Sequence, residues 1–172
     1  MIDVMIDIET LGTTPGCAIL AIAAVPFNSH TPLEYFYEKI SQESCLHLGL
    51  FIDTKTVDWW AHQSGEAREE AFSGVNLIVP TLVSLSEYLK TLDSSVRVWG
   101  NGASFDVPIL EAAYSKAEME PPWKYYNSLC YRTLKNLFKA LPYIPPKIKH
   151  NALEDAKAQA AHAERIFRFI KT

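Results

Sequence analysis

The run Val4-Met5-Ile6-Asp7-Ile8-Glu9-Thr10-Leu11-Gly12 constrains this chain more than any other stretch. Residues 2–8 form an apolar run of strand length, which reads as a buried β-strand, and Thr10-Leu11-Gly12 breaks it into a loop. Side chains two apart on a strand share a face. Asp7 and Glu9 are therefore aimed together at one place, at the end of an otherwise apolar strand. Two carboxylates held that close cost free energy unless a cation or a shared proton compensates them. On its own the pair also fits ordinary strand-end acids facing water. What the rest of the chain places beside it separates the two readings.

With 172 residues, 48% of them hydrophobic and 12% aromatic, the chain is long enough for a single domain, 1–172, with a sizeable core. The net charge of −4 neither favours nor excludes nucleic acid, but its distribution is uneven. Residues 1–115 hold 5 Lys/Arg against 15 Asp/Glu. Residues 116–149 hold Lys116, Lys124, Arg132, Lys135, Lys139, Lys147 and Lys149 against only Glu118 and Glu120. A basic segment in an acidic protein is a candidate phosphate-facing surface, although such runs are more commonly solvated helix faces. Cys17, Cys45 and Cys130 are scattered, odd in number and without C-x-x-C spacing, which points to a reducing compartment rather than a disulfide frame or zinc site. The N-terminus carries acids rather than a basic segment, unlike a signal peptide. The longest nearly uncharged apolar run, residues 17–27, is about half of what a membrane span needs. The expectation is a soluble, cytoplasmic protein without membrane contact.

Along the chain, residues 18–27 read as a second buried strand closed by Pro26. Residues 33–40 read as a third, with Tyr35 and Tyr37 on one side and Phe36 on the other. Short loops make the three an antiparallel meander. Helices are expected from Thr56, with that residue as N-cap, after Ser64, and over 80–92, where Leu82, Leu85, Leu89 and Leu92 have helical spacing. A short strand at 96–99 leads through Gly100-Asn101-Gly102 to a helix capped by Ser104 and running to about Met119. Asp106 lies in its first turn, where the helix dipole favours an acid in any case. Residues 125–130 suggest an edge strand, and 131–141 a helix with Arg132, Lys135 and Lys139 on its polar side. The stiff loop 142–146 delivers Lys147, Lys149 and His150. The last helix, 152–170, carries an apolar stripe at Ala152, Ala156, Ala160, Ala163, Phe167 and Ile170. No internal repeat, low-complexity tract or domain boundary interrupts this order, which describes a mixed α/β sheet flanked by helices.

Four carboxylates occupy element ends that could converge: Asp7 and Glu9, Asp106, and Asp155 in the first turn of the last helix. His150 precedes Asp155 by five residues. Clustered oxygen ligands suit hard cations such as Mg²⁺ or Mn²⁺, and one bridging carboxylate can hold two metals about 3.5–4 Å apart. No cysteine or histidine group at zinc spacing competes.

These residues resemble the three motifs of the DEDDh 3′–5′ exonucleases, the DnaQ-like branch of the ribonuclease H-like fold: Asp7-Ile-Glu9-Thr, Asn101-Gly-Ala-Ser-Phe-Asp106, and His150-Asn-Ala-Leu-Glu-Asp155. The resemblance spans residues 6–155. A D-x-E pair alone is weak, whereas the three motifs in order, each on a suitable element, are specific together. The sister group has tyrosine four residues before the last aspartate; Asn151 stands there, so the histidine type is implied. Residues 56–63, TVDWWAHQ, with Trp99-Gly-Asn and Cys130-Tyr-Arg-Thr, are similar to a subgroup of small exonucleases containing exodeoxyribonuclease VIII-like proteins and a mycobacterial-type exoribonuclease, whose members differ in substrate. The implied fold is a ribonuclease H-like mixed central sheet, an antiparallel three-stranded meander plus parallel strands, flanked by helices.

The implied activity is hydrolysis of single-stranded RNA or DNA from the 3′ end to nucleoside 5′-monophosphates with two divalent ions, Mg²⁺ or Mn²⁺. Asp7, Glu9 and Asp155 would hold the first ion, Asp7 would share the second, and Asp106 would support the site directly or through water. The first metal acidifies a water, His150 takes its proton as general base, and the second stabilises the departing 3′ oxygen. By the same resemblance, Thr10, Leu11 and Gly12 contact the terminal nucleotide, with Leu11 wedged against its base, and Asn101 belongs to the binding set. Phe105, Trp59 and Trp60 are stacking candidates, or core packing, as Trp99 is. Gln63 reads a base edge or caps its helix, and Arg132, Lys147 and Lys149 contact phosphates. His30, His47, His62 and His162 are read as structural or exposed. Small family members are often dimers, so a homodimer is among the implied partners. The rival readings are a non-catalytic nucleic-acid-binding module on the same fold, whose mark would be a missing site residue, and a hydrolase of mononucleotides or dinucleotides.

Overall fold

In the first strand, β1 (Asp3–Thr10), every residue except Asp7 is buried, as a strand covered on both faces requires. A computed structural model describes residues 1–28, 33–93 and 95–171; His30 lies outside them. Here β1 pairs antiparallel with β2 (Ile19–Phe27), which pairs antiparallel with β3 (Phe36–Lys39). On its other side β1 runs parallel to β4 (Arg97–Gly100), and β4 parallel to β5 (Ser128–Cys130). The order β3-β2-β1-β4-β5 is the expected meander extended by parallel strands.

Several strand boundaries differ from expectation. Pro26 lies inside β2, opposite Val4, because β3 begins only at the Phe36–Ala24 pair and no ladder on that side needs its missing N–H. Residues 33–35 are unpaired, and Ile40 makes an isolated bridge to Asn76. Tyr125–Asn127 form a 3₁₀ turn before β5 rather than part of the strand.

Seven helices lie among the described residues: α1 (Gln42–His47), α2 (Thr54–Ala61), α3 (Gly65–Phe72), α4 (Ile78–Leu92), α5 (Asp106–Lys116), α6 (Tyr131–Leu137) and α7 (Ala152–Ile170). The first of these, capped by Ser41, had no periodic pattern long enough to announce it. Asp53 rather than Thr56 caps α2, accepting the Lys55 N–H at 3.1 Å, and the Thr56 hydroxyl donates to the same carboxylate at 3.3 Å. The helix expected after Ser64 is α3, and Ser64 itself caps it. Ser104 caps nothing: α5 begins at Asp106, and the preceding Phe105 makes no side-chain cap. At its other end α5 stops at Lys116, short of Met119.

The sheet separates two apolar layers. On one face Val4, Ile6 and Ile8 pack with Leu82, Leu85 and Leu89 of α4 and Ile109, Leu110 and Ala113 of α5. On the other, Met5, Ala21, Ala23 and Val25 meet Ala152, Ala156, Ala160 and Ala163 of α7. Small residues on both sides let α7 lie close against the strands. Ile166, fully buried, continues that stripe, while Ile170 is exposed; the last turn runs past Phe27, the end of β2, which stacks on Phe167. Among the described residues no helix is long and apolar enough to cross a membrane.

Replacing Ala160 by Leu inserts a branched side chain where helix and sheet touch. The expected cost is about 1–3 kcal/mol, read as a melting temperature lower by about 2–4 °C per kcal/mol; an unchanged melting temperature would show that α7 has slack against the sheet.

Candidate active site

Asp3, Asp7 and Glu9 share the α7 face of β1, and the first shows what a structural acid looks like here. Asp3 is wholly buried and satisfied: Arg97 donates from Nε at 2.7 Å and Nη2 at 2.6 Å, Trp99 from Nε1 at 2.8 Å, and Asn28 from Nδ2 at 3.1 Å. Neither Asp7 nor Glu9 has a basic partner among the described residues. They open instead into a cleft of about 770 Å³ at the C-terminal ends of β1 and β4. Asp155, in the first turn of α7, completes a cluster: one carboxylate oxygen each from Asp7, Glu9 and Asp155 lie within 4.8 Å of one another.

Asp106 borders this cluster but is committed differently. It is buried, with Oδ2 accepting the Asn101 N–H at 2.7 Å and Oδ1 the Ile8 N–H at 3.4 Å. It ties the start of α5 to β1 and to the turn after β4, so it stands beside the three clustered acids rather than among them.

Burial and mutual repulsion push these acids toward their neutral forms. Desolvation raises Asp7 well above the usual carboxylate range, and Asp106, Glu9 and Asp155 raise it further, against the opposing Gln159 hydrogen bond. Glu9 is pushed from 4.5 to about 8 by desolvation, then by Asp155 and Asp106. Burial raises Asp106 to about 6, moderated by backbone N–H donors and by Arg132, and it also raises Asp155. An all-oxygen set of acids in this condition fits a hard divalent cation, whose charge would restore ionisation.

The histidine is held by three means. Asn151 caps α7, accepting the Glu154 N–H at 3.0 Å, and the His150 N–H donates to Asp155 Oδ2 at 3.0 Å. The His150 backbone is left-handed, φ 60°, which is uncommon outside glycine. Its ring packs edge-on against Trp59, with centroids 4.8 Å apart, and beside Trp60 at 6.1 Å. Trp60 is itself buried, donating from Nε1 to the Thr10 carbonyl at 2.9 Å, with Phe72 behind it. Trp59 is 44% exposed and faces the cleft. At the end of β1, which runs through Thr10 rather than breaking there, Thr10 Oγ1 donates to the Gly12 carbonyl at 2.6 Å. A Cβ on Gly12 would lie 2.5 Å from that of Cys17, so only glycine lets the turn sit this close to the chain beside it.

Of the binding residues expected from sequence, Thr10, Gly12, Trp59, Asn101, Phe105, Arg132 and Lys149 line the cleft. Arg132 reaches it by donating to the Asn101 carbonyl at 2.6 Å. Leu11, Gln63 and Lys147 do not line it. Leu11 is buried in the core, its N–H bonded to Ala18 at 2.8 Å and its carbonyl to the Asp53 N–H at 2.7 Å. The Gln63 amide donates to the Trp59 carbonyl at 3.1 Å and so closes its own helix. His162 is structural: fully buried, it joins the Tyr131 hydroxyl at 2.7 Å to the Leu141 carbonyl at 3.0 Å.

Asp53, Lys55, Tyr143 and Gln159 also line the cleft with no site role expected of them, and so does Thr56, expected only as a helix cap and within the TVDWWAHQ motif. Gln159 lies one turn beyond Asp155, a spacing that could have exposed it. Tyr143, in the proline-rich loop, gave no periodic signal. Burial pushes its phenol up to about 12, helped by Asp155 and Asp7, and the Lys135 ammonium sits 4.1 Å above its ring.

Several solved structures share this fold. The nuclease domain of 3′hExo, a DEDDh family member, bound to rAMP, is similar with a TM-score of 0.64 at 13% identity, over 98% of this chain and 92% of that one. Exonuclease I of E. coli in complex with a 5cy-dA13 oligonucleotide is similar with a TM-score of 0.65 at 16% identity, over 99% of this chain and 42% of that one. Residues 2–167 match the 3′–5′ exoribonuclease Rv2179c-like domain, and the chain belongs to that family. It is also 26% identical over 123 residues to an exodeoxyribonuclease of Enterobacteria phage T4, a match covering 64% of this chain and 54% of that protein.

The raised acids set the pH response of the metal-free protein. Between 4.5 and about 8 the folded state holds a proton on Glu9 that the unfolded state releases. This contribution to stability is present at low pH and lost as pH rises through that window. In chelator, wild type is expected to lose more melting temperature from pH 5 to pH 8 than E9Q does, and Mn²⁺ should restore wild type most at pH 8. Parallel pH curves for the two proteins would refute the assignment.

Proposed function

We propose that this protein is a metal-dependent 3′–5′ exonuclease that hydrolyses single-stranded RNA or DNA from its 3′ end and releases nucleoside 5′-monophosphates. The observation that carries this reading is the convergence of Asp7, Glu9 and Asp155 within 4.8 Å, with His150 bonded through its N–H to the last of them. Asp7, Glu9 and Asp155 would hold divalent ions, Mg²⁺ or Mn²⁺, two of them with Asp7 shared. Bound there, such ions supply Lewis acidity, making a water more acidic and stabilising the oxygen that departs.

The chain's own residues do the rest. His150, fixed between its backbone bond to Asp155 and the Trp59 ring, accepts the proton of the attacking water through a ring nitrogen. Asp106 acts by position, locking β1, β4 and α5 so that the acids keep their spacing. Thr10 and Gly12 offer backbone and hydroxyl groups to the terminal nucleotide, and Phe105 and Trp59 offer rings against which any base can stack. Lys55, Arg132 and Lys149 line an otherwise acidic cleft and receive the phosphates. The family is described by exoribonuclease activity and the T4 relative is an exodeoxyribonuclease, so the sugar is decided by assay.

The test uses 3′-labelled and 5′-labelled single-stranded oligomers, as RNA and as DNA, with Mg²⁺ or Mn²⁺. Stepwise shortening from the 3′ end is expected, absent in D7A, and the RNA-to-DNA rate ratio reports the substrate. H150A should retain fold and metal binding while losing about 10²–10⁴-fold in kcat, the usual worth of a general base. Cleavage of neither polymer with either metal would overturn the reading in favour of a binding module; activity confined to dinucleotides would favour the small-substrate hydrolase. Each of K55A, R132A and K149A should weaken oligomer binding and reduce the slope of log K against log salt by about 0.7. A slope unchanged in all three would remove them from the phosphate path.

A further inference from the structure

Gln159 is the odd member of the α7 face that meets the sheet. Its neighbours on that stripe are Ala152, Ala156, Ala160 and Ala163, yet Gln159 is a long amide only 2% exposed. Its Nε2 donates to Asp7 Oδ1 at 2.7 Å, across 152 residues of sequence. Its Oε1 is shielded from solvent and has no hydrogen-bond donor among the described residues. An unpaired buried amide oxygen is destabilising, so packing does not explain glutamine here; the bond to Asp7 does.

The chemistry of that donor is specific. Lysine or arginine at this position would put a fixed positive charge beside Asp7 and compete with a bound cation. A carboxylate would add another repelling acid. An amide donates a hydrogen bond and carries no charge, so it holds Asp7 without replacing the cation. With Oδ1 held, the Asp7 carboxylate cannot turn freely, and its position relative to Glu9 and Asp155 is set.

We propose that Gln159 is a positioning residue for the metal site, orienting Asp7 so that the three acids bind divalent ions together. This rests on the metal-dependent reading above, and a measurement that needs no nuclease activity separates the two. Mn²⁺ affinity is measured by calorimetry on the full chain for wild type, Q159L, which removes the donor, and Q159N, which stays polar but is one methylene too short to reach. Both variants are expected to bind Mn²⁺ about 10–100-fold more weakly, the usual loss when a group behind a metal ligand is removed. Metal-free melting temperature and KM for an oligomer at saturating Mn²⁺ should stay near wild type. Q159N carries the test if Q159L fails to fold. Wild-type Mn²⁺ affinity in both variants, or a lowered melting temperature with unchanged Mn²⁺ affinity, would overturn the positioning role alone. A wild-type protein that binds no Mn²⁺ would overturn the metal reading and this proposal with it.

Discussion

Repulsion among Asp7, Glu9 and Asp155 sets the terms for everything around them. Two unit charges at their separation interact by about 3–4 kcal/mol at an effective dielectric near 20, and each also loses hydration in the cleft. A fold that only needed acids on β1 had a cheaper solution, visible at Asp3, where arginine, tryptophan and asparagine supply a full set of donors. Four residues along the same face, that compensation is withheld. Uncharged donors take over instead: backbone N–H groups of Asn101 and Ile8 hold Asp106, that of His150 holds Asp155, and the Gln159 amide holds Asp7. These contacts hold the acids in place without neutralising them, leaving the charge deficit for something that arrives from solution.

Precision at the cluster comes from small residues. The alanines of α7 against Ala21 and Ala23 of β2 bring Asp155 within reach of β1, and a bulkier pair of surfaces would have held it away. Gly12 plays the same part after β1, letting the loop fold back on Cys17. The aromatic residues work in the opposite sense, by filling space. Trp60 plugs the underside of the Thr10 turn, and Trp59 gives the strained His150 loop a wall to rest on.

Much of this could be read from the chain because it depends on local periodicity. A two-residue repeat put Asp7 and Glu9 on one face, and a 3.6-residue repeat put Asp155 beside the alanine stripe. The motif spacing then brought Asp106 and His150 to the same end of the sheet. Other features escaped because distant backbone decides them. Leu11 reads as a loop residue free to touch a base, but bonds to Ala18 and Asp53 draw it into the core. Gln63 finds its partner in its own helix, and Lys147 is carried away from the cleft by a loop whose path proline content alone does not specify. Asp53 outcompeted Thr56 as a cap because both were suitable and only the turn before them chooses. Gln159 looked like one more polar residue on an amphipathic helix until the sheet was laid against it.

The order of the acids along the chain has a consequence during synthesis. Asp7 and Glu9 leave the ribosome early, whereas Asp155 and Gln159 belong to the last helix, and β4 comes from the middle of the sequence. Before α7 docks, the nascent polypeptide owns two of the three clustered acids, lacks the histidine's anchor, and leaves the alanine-lined face of its sheet bare. The cluster of three acids is therefore complete only once α7 lies on the sheet, so its assembly is tied to the packing of that one helix.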